Sequence, residues 1–332
     1  MPVAQPVFFS KKNIADNKFD ASEALAEQAL HCLELVAELA NSGLSFQFKG
    51  GNSLLLILDK PQRFSIDVDI ATDEPRERIE SCLDKIHEQG VFVKWTKRQH
   101  KTKPWLPLAS YFCFYKSHFV KDDEAFVMLD AQLVRSPYET RFSPVCCGNL
   151  YISDSKAEIP LPSSIIGDKL LTLGPSTLGI PVGKGKEAQR LKHVFDVSLL
   201  LRTRPLLHEV RKSFLACVEH ENRLQEKEMT IPQLLDDTIA FCRSVMDYPA
   251  IPEINDTMNP VLVENIKVLA PFAVHLFSKN YGWADLELDM SRVALVMAGV
   301  CNNSVDDSQF LHAVDQCGNT AGKFWKITGE WL

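Results

Sequence analysis

The chain has 332 residues, of which 45% are hydrophobic and 24% charged, and its formal net charge at pH 7 is −7. This length suffices for two domains, and this composition is typical of a globular protein. No apolar run approaches the length of a membrane span, and the N-terminal stretch lacks the pattern of a signal peptide. The nine cysteines are scattered and never spaced as C-x-x-C, so we expect reduced thiols and a cytoplasmic protein. Because acidic proteins repel nucleic acid overall, RNA binding would need a local basic patch.

The first predicted elements lead to a pair of glycines. Residues 17–42 show the apolar periodicity of an amphipathic helix, and residues 45–48 favour a short strand or a turn. Gly50 and Gly51 follow, and because they lack Cβ atoms the backbone can approach a ligand closely there. We predict a helix over residues 52–58, whose first amides would attract phosphate.

The next predicted strand, over residues 65–71, carries a pair of aspartates. Side chains alternate along a strand, so Asp67 and Asp69 share one face. The apolar residues beside them point to the other face: Ile66, Val68 and Ile70. Two neighbouring carboxylates repel each other unless a cation lies between them, and oxygen ligands suit Mg²⁺. This pair beside a phosphate-binding turn indicates a nucleoside triphosphate held through metal; the alternative is a surface turn with two solvated aspartates.

The remaining elements of the first half predict a mixed sheet flanked by helices, an α/β (α+β) fold. They are a helix over residues 74–89 and strands over residues 91–95, 111–115, 125–134 and 148–152. Asp130 lies in the third of these strands, on the face opposite Val127 and Leu129. If this strand pairs with that of Asp67, Asp130 joins the metal site. The alternative is an exposed aspartate, a residue that strand interiors disfavour.

A basic segment lies between two of these strands. Residues 94–103, KWTKRQHKTK, contain no acidic residue, and Trp95 and Trp105 accompany them. Cations interleaved with aromatic rings can hold phosphates and stack bases. The alternative is a solvated loop.

Helices dominate the second half of the chain. Apolar periodicity predicts them over residues 162–173, 186–201, 206–220, 231–246, 261–277 and 290–300, whereas the final KITGEW favours a short turn or strand. We therefore expect a first domain over residues 1–158 and a helical domain over residues 159–332.

Lys169 lies in the apolar stripe of the first of these helices. An ammonium group is costly there unless it meets water or an anion. We interpret Lys169 as a contact to nucleotide phosphates, with extension of the side chain to solvent as the alternative.

The string Lys49-Gly-Gly-Asn-Ser53, followed by Arg63-Phe-Ser65-Ile-Asp67-Val-Asp69, resembles the AbiEii/AbiGii toxin family of the polymerase-β-type nucleotidyltransferase superfamily. The resemblance extends over about residues 45–201. It implies a nucleotidyltransferase domain followed by helices. It also implies transfer of a nucleoside monophosphate from a nucleoside triphosphate to an acceptor, with two Mg²⁺ ions.

The resemblance implies roles for individual residues. The metal ligands would be Asp67, Asp69 and Asp130, and Asp130 would help to deprotonate the attacking hydroxyl. The nucleotide would be bound by Lys49, Gly50, Gly51, Ser53, Arg63, Ser65 and Lys192. The catalytic set would be completed by Lys169 and Asp196. Lys192-x-x-x-Asp196 is similar to a variant of the family, although His193 stands where many members carry an Arg-Asp pair; a helical ion pair is the alternative.

The same resemblance implies the toxin of a toxin–antitoxin or phage-defence pair, with an antitoxin as partner and a tRNA 3′ end as one acceptor. The residues leave three alternatives open. One is transfer to a small molecule or a protein side chain, the second is nucleotide binding without catalysis, and the third is an interaction module formed by the C-terminal helices.

Overall fold

A computed structural model of the chain describes residues 2–98, 107–121, 124–278 and 280–332. The chain forms two compact units: Met1–Ser136 with Thr140–Leu161, and Pro137–Glu139 with Pro162–Leu332. Part of the basic segment lies outside the described residues, including Lys101, Lys103 and Trp105.

The first unit is built on a mixed sheet flanked by helices, as predicted. Its strands are β1 (Gln47–Lys49), β2 (Asp67–Ala71), β3 (Phe92–Lys97), β4 (Leu108–Lys116), β5 (Glu124–Gln132), β6 (Thr140–Cys147) and β7 (Tyr151–Pro160). Its helices are α1 (Lys11–Asp16), α2 (Glu23–Asn41), α3 (Leu54–Ile57) and α4 (Arg76–Gln89). The strand order is β3-β4-β5-β2-β1-β7-β6. β2 pairs with β5, and β1 with β7, in parallel, and the other neighbours are antiparallel.

α2 covers one face of this sheet. The Ser22 side chain accepts the Leu25 N–H, so the helix begins at Glu23 rather than at residue 17, as expected for an N-cap serine. α2 packs against β2, β5, β6 and β7. On that side Val68 and Val127 are fully buried, so the polar residues that alternate with them lie on the opposite face.

The sequence predicts one strand over residues 148–152. In the structure these residues contain the turn between β6 and β7, which are longer strands than the prediction gives. Gly148 has a φ of +51° and lies between β6 and β7. The buried face of β7 includes Ser153 and Ser155, so apolar alternation in the sequence is weak. Both hydroxyls donate hydrogen bonds, at 3.0 and 2.8 Å, and these bonds offset the cost of burying them.

The second unit is helical, which confirms the prediction for the C-terminal half. Its helices are α5 (Pro162–Leu171), α6 (Glu187–Leu200), α7 (Leu207–Gln225), α8 (Ile231–Met246), α9 (Pro260–Ala273), α10 (Trp283–Cys301), α11 (Asp307–Cys317) and α12 (Ala321–Trp331). α10 is its central helix, because it packs against α6, α7, α8 and α12. None of the described helices combines the length and the apolar character that crossing a membrane requires.

The final KITGEW stretch is helical and not the predicted turn or strand. It belongs to α12, which buries Phe324 and Thr328 and packs against α10. Glycine, threonine and tryptophan are weak helix formers, so packing rather than propensity determines this helix. The prediction also omits α11, although Asp306 and Gln309 form a capping box at its start.

Candidate active site

Four side chains form a row across the sheet of the first unit. Lys49 on β1 is opposite Asp69 on β2, Asp69 is opposite Asp130 on β5, and Asp130 is opposite Ser110 on β4. Directly opposed residues place their side chains on the same face, and neighbouring strands lie about 4.8 Å apart. The sheet therefore sets Asp69 and Asp130 side by side, although they are far apart in the sequence.

Asp67 lies two residues before Asp69, on the same face of β2. Val68 and Ile70 are buried at 0% and 1% exposure, whereas both aspartates are partly exposed. Ile66 precedes the strand and is 37% exposed, so the prediction that it joins the apolar face is wrong. The structure thus brings the three predicted carboxylates onto one face.

The two glycines bring side chains of the site close to the backbone. Gly50 has a φ of +71°, and a Cβ atom there would lie 2.0 Å from Asp69 Oδ2. A Cβ atom on Gly51 would lie 2.7 Å from Arg63 Nη2 and 3.2 Å from Ser65 Oγ. The sequence predicted close approach of a ligand at this pair. In the structure, the groups that approach closely are a carboxylate, a guanidinium and a hydroxyl of the chain itself.

The helix after the glycines is shorter than predicted. α3 spans the four residues Leu54–Ile57, and a turn precedes it. The Ser53 hydroxyl donates to Gly50 O within this turn at 2.8 Å, and Ser53 is fully buried. A single turn of helix has a small dipole, because few peptide units are aligned. Any phosphate contact here would therefore come from amides of the turn rather than from a helix beginning at residue 52.

Asn52 is a site residue that the sequence analysis missed. Its side-chain amide donates to Asp67 O at 3.3 Å and ties the turn to the first residue of β2. Asn52 is fully buried, and its Oδ1 has no hydrogen-bond partner among the described residues. Its place between Gly51 and Ser53 in the motif was the available signal.

The carboxylate pair influences a thiol of α2. Burial, and then the negative charges of Asp67 and Asp69, raise the pKa of the Cys32 thiol well above its usual value. Cys32 therefore stays neutral near pH 7 and is not a nucleophile.

Hydrogen bonds hold both ends of the row. The Ser110 hydroxyl donates to Asp130 Oδ1. Lys49 Nζ lies 3.1 Å from Gln132 Oε1 and 3.2 Å from Ser136 Oγ. These contacts fix the direction of a cationic and an anionic side chain that flank Asp69.

The carboxylates share a face, although their side chains are not arranged as a complete group of metal ligands. No group of three or more Asp, Glu, His or Cys side chains in the described ranges is positioned to hold a metal ion. Asp69 is directed at Gly50 and Asp130 at Ser110.

In the second unit, Lys169 of α5 and Asp196 of α6 form a buried ion pair. Lys169 Nζ lies 2.9 Å from Asp196 Oδ2, and the two side chains are 5% and 0% exposed. The alternative in which this lysine extends to solvent is therefore wrong. His193 Nδ1 is hydrogen-bonded to the Thr172 hydroxyl, so the residue that departs from the family pattern also joins α6 to the end of α5.

The described part of the basic segment is divided between the two faces of β3. The indole N–H of Trp95 and the ammonium of Lys97 contact acidic side chains of α4, at 3.0 and 2.8 Å. Lys94 and Arg98 lie on the face that carries Asp130. Trp95 therefore faces α4, whereas Lys94 and Arg98 lie on the same sheet face as Asp130.

The chain is similar to known proteins in sequence and in fold. The family model described as "Nucleotidyl transferase AbiEii toxin, Type IV TA system" matches residues 34–258. The structure of MenT4, a nucleotidyltransferase toxin from Mycobacterium tuberculosis H37Rv, matches with a TM-score of 0.56 at 12% identity, over 96% of this chain and 99% of MenT4. No curated protein matches in sequence. At this identity the structural match shows the fold alone, whereas the family model spans more than half of the chain, from before Lys49 to beyond Asp196.

Proposed function

Because the chain belongs to the AbiEii family of nucleotidyltransferase toxins of type IV toxin–antitoxin systems, we propose that it transfers a nucleoside monophosphate from a Mg²⁺-bound nucleoside triphosphate to an acceptor hydroxyl. The observation that carries this proposal is the parallel pairing of β2 with β5. It sets Asp69 opposite Asp130 and keeps Asp67 on the same face.

The residues of this face fit a divalent cation. Asp67, Asp69 and Asp130 offer only carboxylate oxygens, the ligands that Mg²⁺ prefers. Because Gly50 has no Cβ atom, Asp69 Oδ2 can occupy the space beside it. These three carboxylates would hold one or two Mg²⁺ ions, which would stabilise the attacking and leaving oxygens.

Asp130 and the side chains around the carboxylates have roles in proton transfer and triphosphate binding. The acceptor oxygen bonds to the α-phosphorus, the bond to the bridging oxygen of the leaving pyrophosphate breaks, and Asp130 takes the acceptor proton. The Ser110 hydroxyl orients Asp130 through its hydrogen bond. Arg63 and Ser65, which lie against Gly51, bind the triphosphate together with Lys49 and the turn of Gly50 to Ser53.

The remaining residues of the proposed catalytic set lie in the second unit. The family resemblance implies phosphate contacts for Lys169 and Lys192, and Asp196 orients Lys169 through the buried ion pair. The support for these roles is the family resemblance together with that ion pair. The same resemblance supports a cognate antitoxin as partner and an RNA 3′ end, such as that of tRNA, as acceptor.

Incubation with each α-labelled nucleoside triphosphate, Mg²⁺ and total RNA tests the reaction. We expect label in RNA with the wild-type protein and about a hundredfold less with Asp67→Asn or Asp69→Asn, because each change removes an anionic metal ligand. The apolar face of β2 is unchanged in both variants, so both should fold. Asp59→Asn alters an exposed carboxylate outside the site and should transfer at the wild-type rate.

Full transfer by a folded Asp67→Asn or Asp69→Asn protein would contradict the metal assignment. Label in protein or in a small molecule, with RNA unlabelled, would replace RNA as the acceptor.

A further inference from the structure

An exposed apolar surface lies on β4 and β5, two neighbouring strands of the first unit's sheet. We call it the aromatic platform, and it consists of Phe112, Phe114, Phe126 and Met128. The ring centroids of Phe112 and Phe126 are 5.0 Å apart, those of Phe114 and Phe126 are 5.8 Å apart, and neither pair is stacked. Phe126 is 43% exposed, and the other three side chains are partly exposed.

The aromatic platform is not part of the core of this unit. Tyr111, Cys113 and Tyr115 alternate with its residues along β4 and are each 1% exposed. The His31 ring of α2 stacks on Tyr115 at 3.6 Å, so the helices cover that face. Contiguous apolar surface that a fold leaves exposed commonly marks a binding site.

The aromatic platform adjoins the carboxylates. Ser110 is opposite Asp130, and Phe112 opposite Met128 is the next pair on the same face, about 7 Å further along the strands. Asp67 is also opposite Met128, on the other side of β5. A polymer whose end lies at the carboxylates can therefore continue directly over the rings.

Two cations border the aromatic platform. Lys94 Nζ lies 4.5 Å from the centroid of the Phe114 ring and 2.9 Å from Glu124 Oε1. Arg98 Nη1 lies 3.0 Å from Met128 Sδ. Arg98 is exposed, and it has no carboxylate partner among the residues that the structure describes. The platform thus combines apolar rings with two cationic side chains, of which Lys94 is paired with Glu124.

We propose that the aromatic platform binds the single-stranded 3′ end of an RNA acceptor by stacking its bases, while Lys94 and Arg98 contact its phosphates. Open sheet faces that carry aromatic side chains beside cations bind single-stranded nucleic acid in this way. The net charge of −7 means that attraction to a polyanion must come from such local cations. This inference rests on the proposed function, because it names the acceptor of the same site.

Binding of a fluorescent single-stranded RNA oligonucleotide, measured in the Asp67→Asn background to prevent turnover, tests the proposal. We expect Phe112→Leu with Phe126→Leu to weaken binding about tenfold or more, because leucine keeps apolar volume but cannot stack on a base. Phe142→Leu is the matched control, since Phe142 is 71% exposed on β6 at the other edge of the sheet. It should bind RNA as tightly as the parent protein.

Unchanged RNA affinity in the double leucine variant overturns the proposal. Loss of triphosphate binding in that variant, measured by equilibrium dialysis, also overturns it, because the platform would then hold the base of the incoming nucleotide. Loss of antitoxin binding with RNA affinity intact would assign the surface to a protein partner instead. Absence of transfer by the wild-type protein would defeat the proposed function alone, since oligonucleotide binding is measured separately.

Discussion

At the scale of single residues, the position of the Asp69 carboxylate depends on the absence of a Cβ atom at Gly50. Gly50→Ala would place a methyl group 2.0 Å from Asp69 Oδ2. It would also place an L-residue in left-handed backbone, which costs about 1–2 kcal/mol. We expect nucleotidyl transfer to fall to the level of Asp69→Asn, because the carboxylate must move away from its position. The labelling assay measures this loss.

Gly43→Ala is the control that distinguishes the effect of displacing the Asp69 carboxylate from the effect of backbone strain. Gly43 has a similar φ of +75°, and an added Cβ atom would meet only Arg78 Nη2, at an ordinary 3.6 Å. This variant should lose a comparable amount of stability and keep its activity. If both alanine variants lost activity equally, strain rather than the position of Asp69 would be the cause.

Alternation along a strand was sufficient to predict that Asp67 and Asp69 share a face, and to place Asp130 opposite the apolar residues of its strand. It could not identify Ser110 or Asn52. Ser110 reaches Asp130 only through the register of β4 on β5, and Asn52 reaches Asp67 O only through the turn. Both contacts depend on tertiary pairing, which a single sequence does not reveal.

At the scale of elements, the pair of Lys169 and Asp196 joins α5 to α6. Lys169→Met or Asp196→Leu alone removes one member of a buried ion pair and should lower the free energy of unfolding by about 3–5 kcal/mol. The double variant should lose much less than the sum. Denaturant unfolding of the four proteins measures this coupling.

The exposed pair of Lys212 and Glu139 is the control for this cycle. Its side chains are 72% and 58% exposed, so truncation of either should cost under about 1 kcal/mol. Activity of the buried double variant then separates two roles of Lys169. Recovered stability without transfer supports a role of the pair in the reaction, whereas recovered transfer would show that the pair serves structure alone.

Prediction of elements was best where apolar periodicity was strong, as in α8. A bulge between Phe92 and Lys94 reverses alternation in β3, which is why Trp95 faces α4. Buried serines weakened the apolar alternation of β7, and low helix propensity weakened the sequence signal of α12. In each case a tertiary contact outweighed the local pattern.

At the scale of the whole molecule, stability depends on pH through an acidic pair in α2. Glu38 is 1% exposed, and its carboxyl group lies beside that of Glu34. Burial, followed by the charge of Glu34, raises the pKa of Glu38 from 4.5 to about 8. Because this pKa is higher in the folded state, the contribution of Glu38 to stability is complete below about pH 4.5 and is lost as the pH rises through about 8.

Glu38→Gln removes this titration and keeps the shape of the side chain. Between about pH 5 and pH 8, the free energy of unfolding of the wild-type protein should fall relative to that of the variant by on the order of a few kcal/mol. Guanidinium unfolding at both pH values measures the difference. The cost of burying the glutamine amide is the same at both pH values. The pKa of His31 is lowered by burial to about 4, and His31 titrates in both proteins. Parallel pH profiles would exclude Glu38 as the titrating group.

The order of the strands also sets when the protein can act during its own synthesis. β3 and β4 precede β5 in the chain, yet β5 lies between them and β2 in the sheet. A nascent chain that has left the ribosome only as far as β4 therefore carries Asp67 and Asp69 but offers the β3–β4 hairpin no strand on which to dock. Asp130 and Phe126 emerge together with β5. If the proposed site is correct, no transfer is expected from a nascent chain until β5 has left the ribosome.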